Sequence, residues 1–354
     1  MGECALCGRR SPTIASALRF CVDCIRQHPD RALPSLAEVH RSSRRDFDLT
    51  DAPPQSTPGK SCHLCSNECS MAEGERGYCG LRRNEGGRLV HLAGTPAKGL
   101  LHWYFDPLPT NCVADWVCDG HRQYGYNNLA VFYGACTFNC LFCQNWHYRQ
   151  MPAQGSVMSA TELAACADRH TFCVCYFGGD PTPQMAHALA ASRLLAERGV
   201  RVCWETNGSM HPSLLREMAE LSIRSGGCIK FDLKAWDENL HRALTGSSNR
   251  ATLQNFRWVA SQLQRRAQPP LLIASTLLVP GYVDTTEVRQ LAAFIASLDP
   301  SIPYALLAFA PNFYMHDLPT TSLPHADTAL AAAKGAGLHN VRVGNRQLLS
   351  HAYS

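Results

Sequence analysis

Between residues 126 and 320 two textures alternate along the chain. Short apolar, β-branched or aromatic runs read as strands: LAVFYG (129–134), CVCYFGG (173–179), VRVCWETNG (200–208), CIKFDLK (228–234), LLIASTLLV (271–279) and YALLAFA (304–310). Stretches rich in Ala, Leu and Arg with a 3.6-residue period read as helices at 159–169, 183–198, 212–225, 250–267, 284–298 and 325–336. Six strands, each followed by a helix or loop, imply an α/β fold with a parallel sheet and right-handed crossovers, a partial TIM-like (β/α)6 barrel. The core is expected over 126–320, with 321–354 adding a helix and a strand, VRVGN, that complete the barrel. Chemistry in such a sheet belongs at the carboxyl ends of its strands.

Ahead of the core the pattern is different. Residues 1–40 carry CALC and CVDC with thirteen residues between them, which reads as a zinc-ribbon-like module. The polar, Pro- and Ser-containing stretch 41–60 cannot bury a core and reads as a linker. Residues 61–125 form a second cysteine-rich module, short enough that metal rather than apolar burial is expected to order it.

With 354 residues and 45% apolar content the chain can build a large core. The net charge of +4 is dispersed, which argues against nucleic acid or an anionic membrane as partner. The start, MGECALCGRR, has no apolar h-region, and the longest apolar run is less than half a membrane span, so a cytoplasmic protein is expected. Leu6 stands where a myristoylation signal needs Ser or Thr. Eighteen cysteines in a reducing compartment point to metal wherever they cluster. Cys166, Cys173, Cys175, Cys203 and Cys228 lie in apolar segments and read as small buried hydrophobes. There is no GxSxG, HExxH or P-loop, which weighs against the common hydrolases.

Directly after the first strand comes ACTFNCLFCQNWH, with Cys136, Cys140 and Cys143 in CxxxCxxC spacing. Three thiolates can hold three irons of a [4Fe–4S] cluster and leave the fourth open. The competing reading is a three-cysteine zinc site completed by His147. On the triplet and the motifs that follow it, the chain resembles the radical SAM superfamily, in particular its pyruvate formate-lyase activating enzyme-like and AmmeMemoRadiSam-type branch. That resemblance implies that S-adenosylmethionine chelates the open iron and that one-electron cleavage yields a 5′-deoxyadenosyl radical, which abstracts hydrogen from a substrate. It also implies that Phe138, Phe142 and Trp146 shield the cluster, with Phe142 at the cofactor. GGDP ends the second strand, so Gly178, Gly179 and Asp180 are expected at the methionyl amino group, where glycine permits close backbone approach. ETNG and DLK end the third and fourth strands, which puts Thr206, Asp232 and Lys234 at the cofactor; alternatively Asp232 and Lys234 form a rim salt bridge. LVPGYVD resembles a structural turn of the same branch. Where close relatives have a histidine after the sixth strand, this chain has FAPN, with Ala310 at the histidine and Asn312 or His316 as candidate substitutes.

The run from Cys62 to Arg82 resembles the leader of the same branch, with Cys62, Cys65, Cys69 and Cys79 as ligands of zinc or an auxiliary iron–sulfur cluster and His63 as a solvent-facing neighbour. Cys4, Cys7, Cys21 and Cys24 are expected to hold structural zinc, with a rubredoxin-like iron as the alternative. Cys112 and Cys118 read as buried free thiols, or else as ligands, a redox pair or substrate contacts, and Asp106, Pro107 and Asn111 are placed at the barrel mouth. The resemblance implies an oxidoreductase most like a glycyl-radical activating enzyme, with a flavodoxin or ferredoxin as reductant and a protein as candidate substrate. The alternatives are a maturase acting on another protein or a small molecule, and a zinc-rich binding protein that has lost catalysis.

Overall fold

The computed structural model describes residues 1–110, 112–151 and 157–353; Asn111 therefore lies outside the described residues. Its centre is a nine-stranded sheet. Numbered in chain order, the strands are β1 Gly99–Pro107, β2 Asn127–Tyr133, β3 Val157–Met158, β4 Thr171–Gly178, β5 Arg201–Thr206, β6 Ile229–Asp232, β7 Leu272–Leu278, β8 Tyr304–Ala308 and β9 Val341–Gly344. They lie in the order β9-β8-β7-β6-β5-β4-β2-β1-β3. The seven strands from β9 to β2 are parallel, while β1 is antiparallel to β2 and β3 to β1. All six expected strands are present, and β9 adds the expected last strand at one edge. Among the described residues the edge strands β9 and β3 do not pair, so the sheet is open.

The helices are α1 Val22–Gln27, α2 Pro29–Arg45, α3 Ala160–Ala165, α4 Met185–Glu197, α5 Pro212–Ser225, α6 Glu238–Thr245, α7 Arg250–Ala260, α8 Thr285–Leu298 and α9 Leu323–Gly335. The six that follow sheet strands and were expected are in place, two of them shorter. The helix expected over 159–169 stops early because Asp168 and Thr171 bond each other's backbone and side chain in a turn that competes with helix. The segment expected to stay helical to 267 leaves the helix after Ala260, and the Arg266 guanidinium crosses to the Ser222 carbonyl (2.6 Å) in the last turn of α5. Helix α6 was not expected, although Asp237 caps its start and Gly246, at φ 72°, ends it. None of the described helices is long and apolar enough to cross a membrane.

Strand alternation sorts the sheet into two faces. Tyr133, Tyr176 and Trp204 share the helix-covered face, where they stack in sequence at 6.0 and 4.6 Å. Ser222 of α5 accepts a bond from the Trp204 indole (3.0 Å). Offset by one residue from these, the other face takes Phe132, Phe177 and Glu205, joined on the next strand by Lys230 and Asp232, and this face lines the interior.

Two expected boundaries shift. The stretch read as a linker begins inside α2, whose Arg44 is buried against the Tyr78 ring and donates to the Thr50 carbonyl (2.6 Å). Residues 99–107 belong to the main sheet as β1 rather than to a separate module. In β1, Asp106 and Pro107 pair with Asn128 and Asn127 at the amino-terminal end of β2, away from the expected mouth.

Candidate active site

The loop after β2 carries Cys136, Cys140 and Cys143 over the carboxyl ends of the parallel strands. There the three thiols line a cavity of about 210 Å3 together with Phe138, Phe142 and Arg149. Gly178, Gly179, Asp180, Thr206, Asp232 and Lys234 line it too, so every residue expected at the cofactor faces one space. Burial pushes the Cys140 thiol up to about 12 and raises Cys136 as well, so ligation by these thiols must expel protons.

The loop is held from outside. Asn139, between two of the cysteines, donates through its backbone to the Thr245 carbonyl (2.9 Å) and through its amide to Ser43 of α2 (2.8 Å). Its amide oxygen accepts from Arg149 (3.0 Å). His40 of α2 packs against the same amide and the Ala243 carbonyl. The amino-terminal region thus braces the cysteine loop, which its spacing alone does not reveal.

The GGD turn ties itself to that loop. Gly179 donates to the Tyr133 carbonyl (3.1 Å) and Asp180 to the Ala135 carbonyl (2.8 Å). A Cβ on Gly179 would stand 2.1 Å from the Ala135 oxygen, so the close approach this glycine permits is to the neighbouring chain. The Asp180 carboxylate accepts from the Thr182 amide (2.8 Å), the Thr206 hydroxyl (2.9 Å) and the Asn207 amide (2.8 Å). Asp180 and Thr206 are therefore occupied in clamping β4 to β5. Asn207 in turn reaches the Thr137 hydroxyl (2.8 Å) and the Cys136 sulfur (3.7 Å).

Asp232 and Lys234 form an ion pair, the salt-bridge reading of DLK. Burial pulls the Lys234 pKa down, but Asp232 and Cys140 outweigh it and hold the ammonium charged. The other Asp232 oxygen, Oδ1, is buried without a partner, as are Nε and Nη1 of Arg149. An acceptor and two donors left unmet in one cavity fit a bound polar group: an anionic cluster at Arg149 and a hydroxyl or ammonium at Asp232. Arg149 is one of the site residues not expected from the sequence; its only signal was a cation shortly after the triplet.

Some expected residues lie elsewhere. Trp146 turns away from the cavity and stacks on His147 (4.0 Å) and Phe313 (5.7 Å). His147 is exposed and absent from the cavity wall, which leaves the three-cysteine zinc alternative without its fourth ligand. Asn312 caps its own turn and His316 is exposed, so neither takes the place of the histidine missing at Ala310 in this cavity.

Below the mouth, a second cavity is lined by Cys112, Cys118, Cys173, Cys175, Cys203 and Cys228. Of the thiols read as small buried hydrophobes, only Cys166 lies apart from this cavity, at the end of α3. At the junction of the two cavities the buried Lys230 ammonium donates to Cys175 (3.0 Å), Cys112 (3.1 Å) and Glu205 (2.9 Å). Burial lowers the Lys230 pKa, but the thiols and Glu205 more than reverse it. Cys203 and Cys228 are 3.8 Å apart across adjacent strands. The convergence follows from strand period: 228, 230, 232 and 234 alternate onto one face, as do 173, 175 and 177.

Residues 130–293, which include the cysteine loop, match the model of the Radical SAM superfamily. The chain carries a radical SAM domain. It is 25% identical over 301 residues, 80% of each chain, to an uncharacterised protein of Methanocaldococcus jannaschii. To the isethionate sulfite-lyase activating enzyme of Oleidesulfovibrio alaskensis it is 32% identical over 134 residues, 37% of this chain and 40% of that one. The match thus spans less than half the length of that enzyme. A solved domain of pyruvate-formate lyase-activating enzyme from Bacteroides vulgatus aligns with 49% of this chain and 98% of its own, at 20% identity and a TM-score of 0.39. The radical SAM domain accounts for the cysteine loop, whereas the two leading cysteine modules lie outside the matched residues.

Proposed function

We propose that the protein reductively cleaves S-adenosylmethionine at a [4Fe–4S] cluster held by Cys136, Cys140 and Cys143, and removes hydrogen from a carbon of its substrate. The observation that carries this is one cavity in which three thiols meet the unpartnered donors of Arg149 and the unpartnered Asp232 oxygen. When bound, the cluster and S-adenosylmethionine supply the electron and the carbon radical that the reaction needs.

The chain's own residues bind, shield and position. Arg149 sets positive charge and free N–H groups beside the thiolates, which favours an anionic cluster. Phe138 and Phe142 keep water from it. Asp232 offers an acceptor to the nucleoside or methionyl end, and Lys234 pairs with that carboxylate. Asp180 acts through the strand ends it ties together, fixing Thr206 and Asn207 against the loop.

Within this class the reading is a glycyl-radical activating enzyme, supported by the ETNG, DLK and LVPGYVD segments and by likeness to an activating enzyme. Its electron would come from a flavodoxin or ferredoxin and its substrate would be a glycine of a partner protein. A maturase acting on a different molecule would use the same mouth.

The test is anaerobic purification and reconstitution, then assay for 5′-deoxyadenosine with S-adenosylmethionine and dithionite, comparing wild type with the Cys136→Ala, Cys140→Ala, Cys143→Ala variant. Product from wild type alone is expected. A wild-type protein that holds zinc only and makes no 5′-deoxyadenosine would overturn the enzyme reading in favour of a binding protein.

A further inference from the structure

The two leading modules each bring four cysteines, yet their sulfurs are arranged differently. In the first, the sulfurs of Cys4, Cys7, Cys21 and Cys24 all lie within 4.8 Å of one another, with Cys7 and Cys21 3.8 Å apart. A tetrahedral ion with metal–sulfur bonds of about 2.3 Å has sulfur–sulfur edges of about 3.8 Å, so this socket has the size of one ion. Among the described residues no other group of three or more Cys, His, Asp or Glu side chains is drawn so close.

Cys62, Cys65, Cys69 and Cys79 instead stand around a small cavity that Tyr78, Arg82 and Thr137 also line. They are gathered on one space but spread wider than a single tetrahedral ion would hold them. Arg82 is almost wholly buried there, and its terminal nitrogens donate to the carbonyls of Leu81 (3.0 Å), Ala93 (3.1 Å) and Pro183 (2.7 Å). Its Nε–H has no partner. A buried donor on the wall of a four-thiol cavity calls for an acceptor inside, and the sulfides of an iron–sulfur cluster are acceptors. Met71 and Tyr78, both buried, and the partly buried Leu64 and Leu89 pack around Cys62 and Cys69. The ligand loop docks beside the mouth, through Ser66 on the Ser209 carbonyl (2.9 Å) and Asn67 on the Thr137 carbonyl (2.8 Å), and Thr137 directly follows Cys136.

We propose that Cys62, Cys65, Cys69 and Cys79 ligate a second [4Fe–4S] cluster, next to the mouth, while Cys4, Cys7, Cys21 and Cys24 take a single zinc ion. This deepens the radical SAM reading but stands on the module's own geometry. The closed, four-thiolate cluster has no open iron and so offers no site for S-adenosylmethionine.

The test uses the full chain with Cys136→Ala, Cys140→Ala and Cys143→Ala, reconstituted anaerobically with iron and sulfide, with metal and sulfide counts and an EPR spectrum after dithionite. The expected result is about four iron and four sulfide with one zinc per chain, and loss of the iron but not the zinc when Cys65→Ala and Cys69→Ala are added. Two zinc ions and no iron, or one zinc and no second metal, overturns the proposal. Should the triple variant fail to fold, wild type decides: about eight iron with one zinc supports it, and about four iron with two zinc overturns it. Wild-type 5′-deoxyadenosine formation is scored separately, so its absence would count against the reaction and not against this cluster.

Discussion

The mouth and the floor of the same sheet both gather cysteines, and the cation buried beside the thiols differs between them. At the mouth the thiols come from one loop, and buried atoms of Arg149 and Asp232 go unpartnered. At the floor the thiols come from a loop and several strands, and the three donors of Lys230 meet Cys112, Cys175 and Glu205. The difference separates a cation with nitrogens left unmet from one whose donors are all taken up by its neighbours. A cysteine count distinguishes neither; the unmet hydrogen bonds do.

The contrast can be broken most sharply at Cys140. Cys140→Ser should abolish 5′-deoxyadenosine formation and the iron bound at the mouth, while the thermal melt stays near that of the apo wild type. Next in size, Lys230→Ala should leave Glu205 and the buried thiols without their cation and cost about 3 kcal/mol, since Glu205 keeps some solvent contact. The readout is the denaturant midpoint, and iron content should be unchanged; a loss of iron with no loss of stability would mean that the floor is itself a metal site.

Arg149→Met sharpens the comparison from the mouth side. Removing a positioned donor beside a metal site typically costs about 10- to 100-fold in affinity or activity, so iron retention against a chelator should fall within that range. A variant as retentive as wild type would show that the unmet donors have no ligand to meet.

The smallest effect at any one step concerns pH. Burial lowers the pKa of His40 and of His241 to about 4, so both rings fold neutral, one against the Asn139 brace and one against the Phe138 ring. Unfolded, each titrates near 6.5, so their contribution is full above about 6.5 and is lost as pH falls toward 4, at up to about 1.4 kcal/mol per pH unit for each ring. The measurement is stability against pH, and His40→Asn should flatten the slope in that window.

Much of the fold was legible because strand and helix periods are local. The six strand runs and the helices between them appear where their patterns stand, and the triplet falls at a strand's carboxyl end as expected. Less legible were the roles of individual residues. Asp180 and Thr206 looked like cofactor contacts but bond each other, because the turn that presents them also has to join two strands. Trp146 looked like a shield and faces Phe313, because the short turn from Trp146 to Gln150 carries it outward. The floor thiols could have been paired by alternation, since Cys228 and Lys230 lie two apart, but strand register was needed to bring Cys175 and Cys203 level.

By itself, then, the sequence determined the alternation of elements, the position of the cysteine triplet and the presence of two further four-cysteine groups, all properties of spacing along the chain. Tertiary structure alone decided which groups remain unsatisfied. Two nitrogens of Arg149 lack partners, Lys230 has three, one cysteine quartet closes to the size of an ion and the other stays open around Arg82. Hydrogen-bond satisfaction depends on which residues from distant segments arrive at the same point, and no local pattern specifies that.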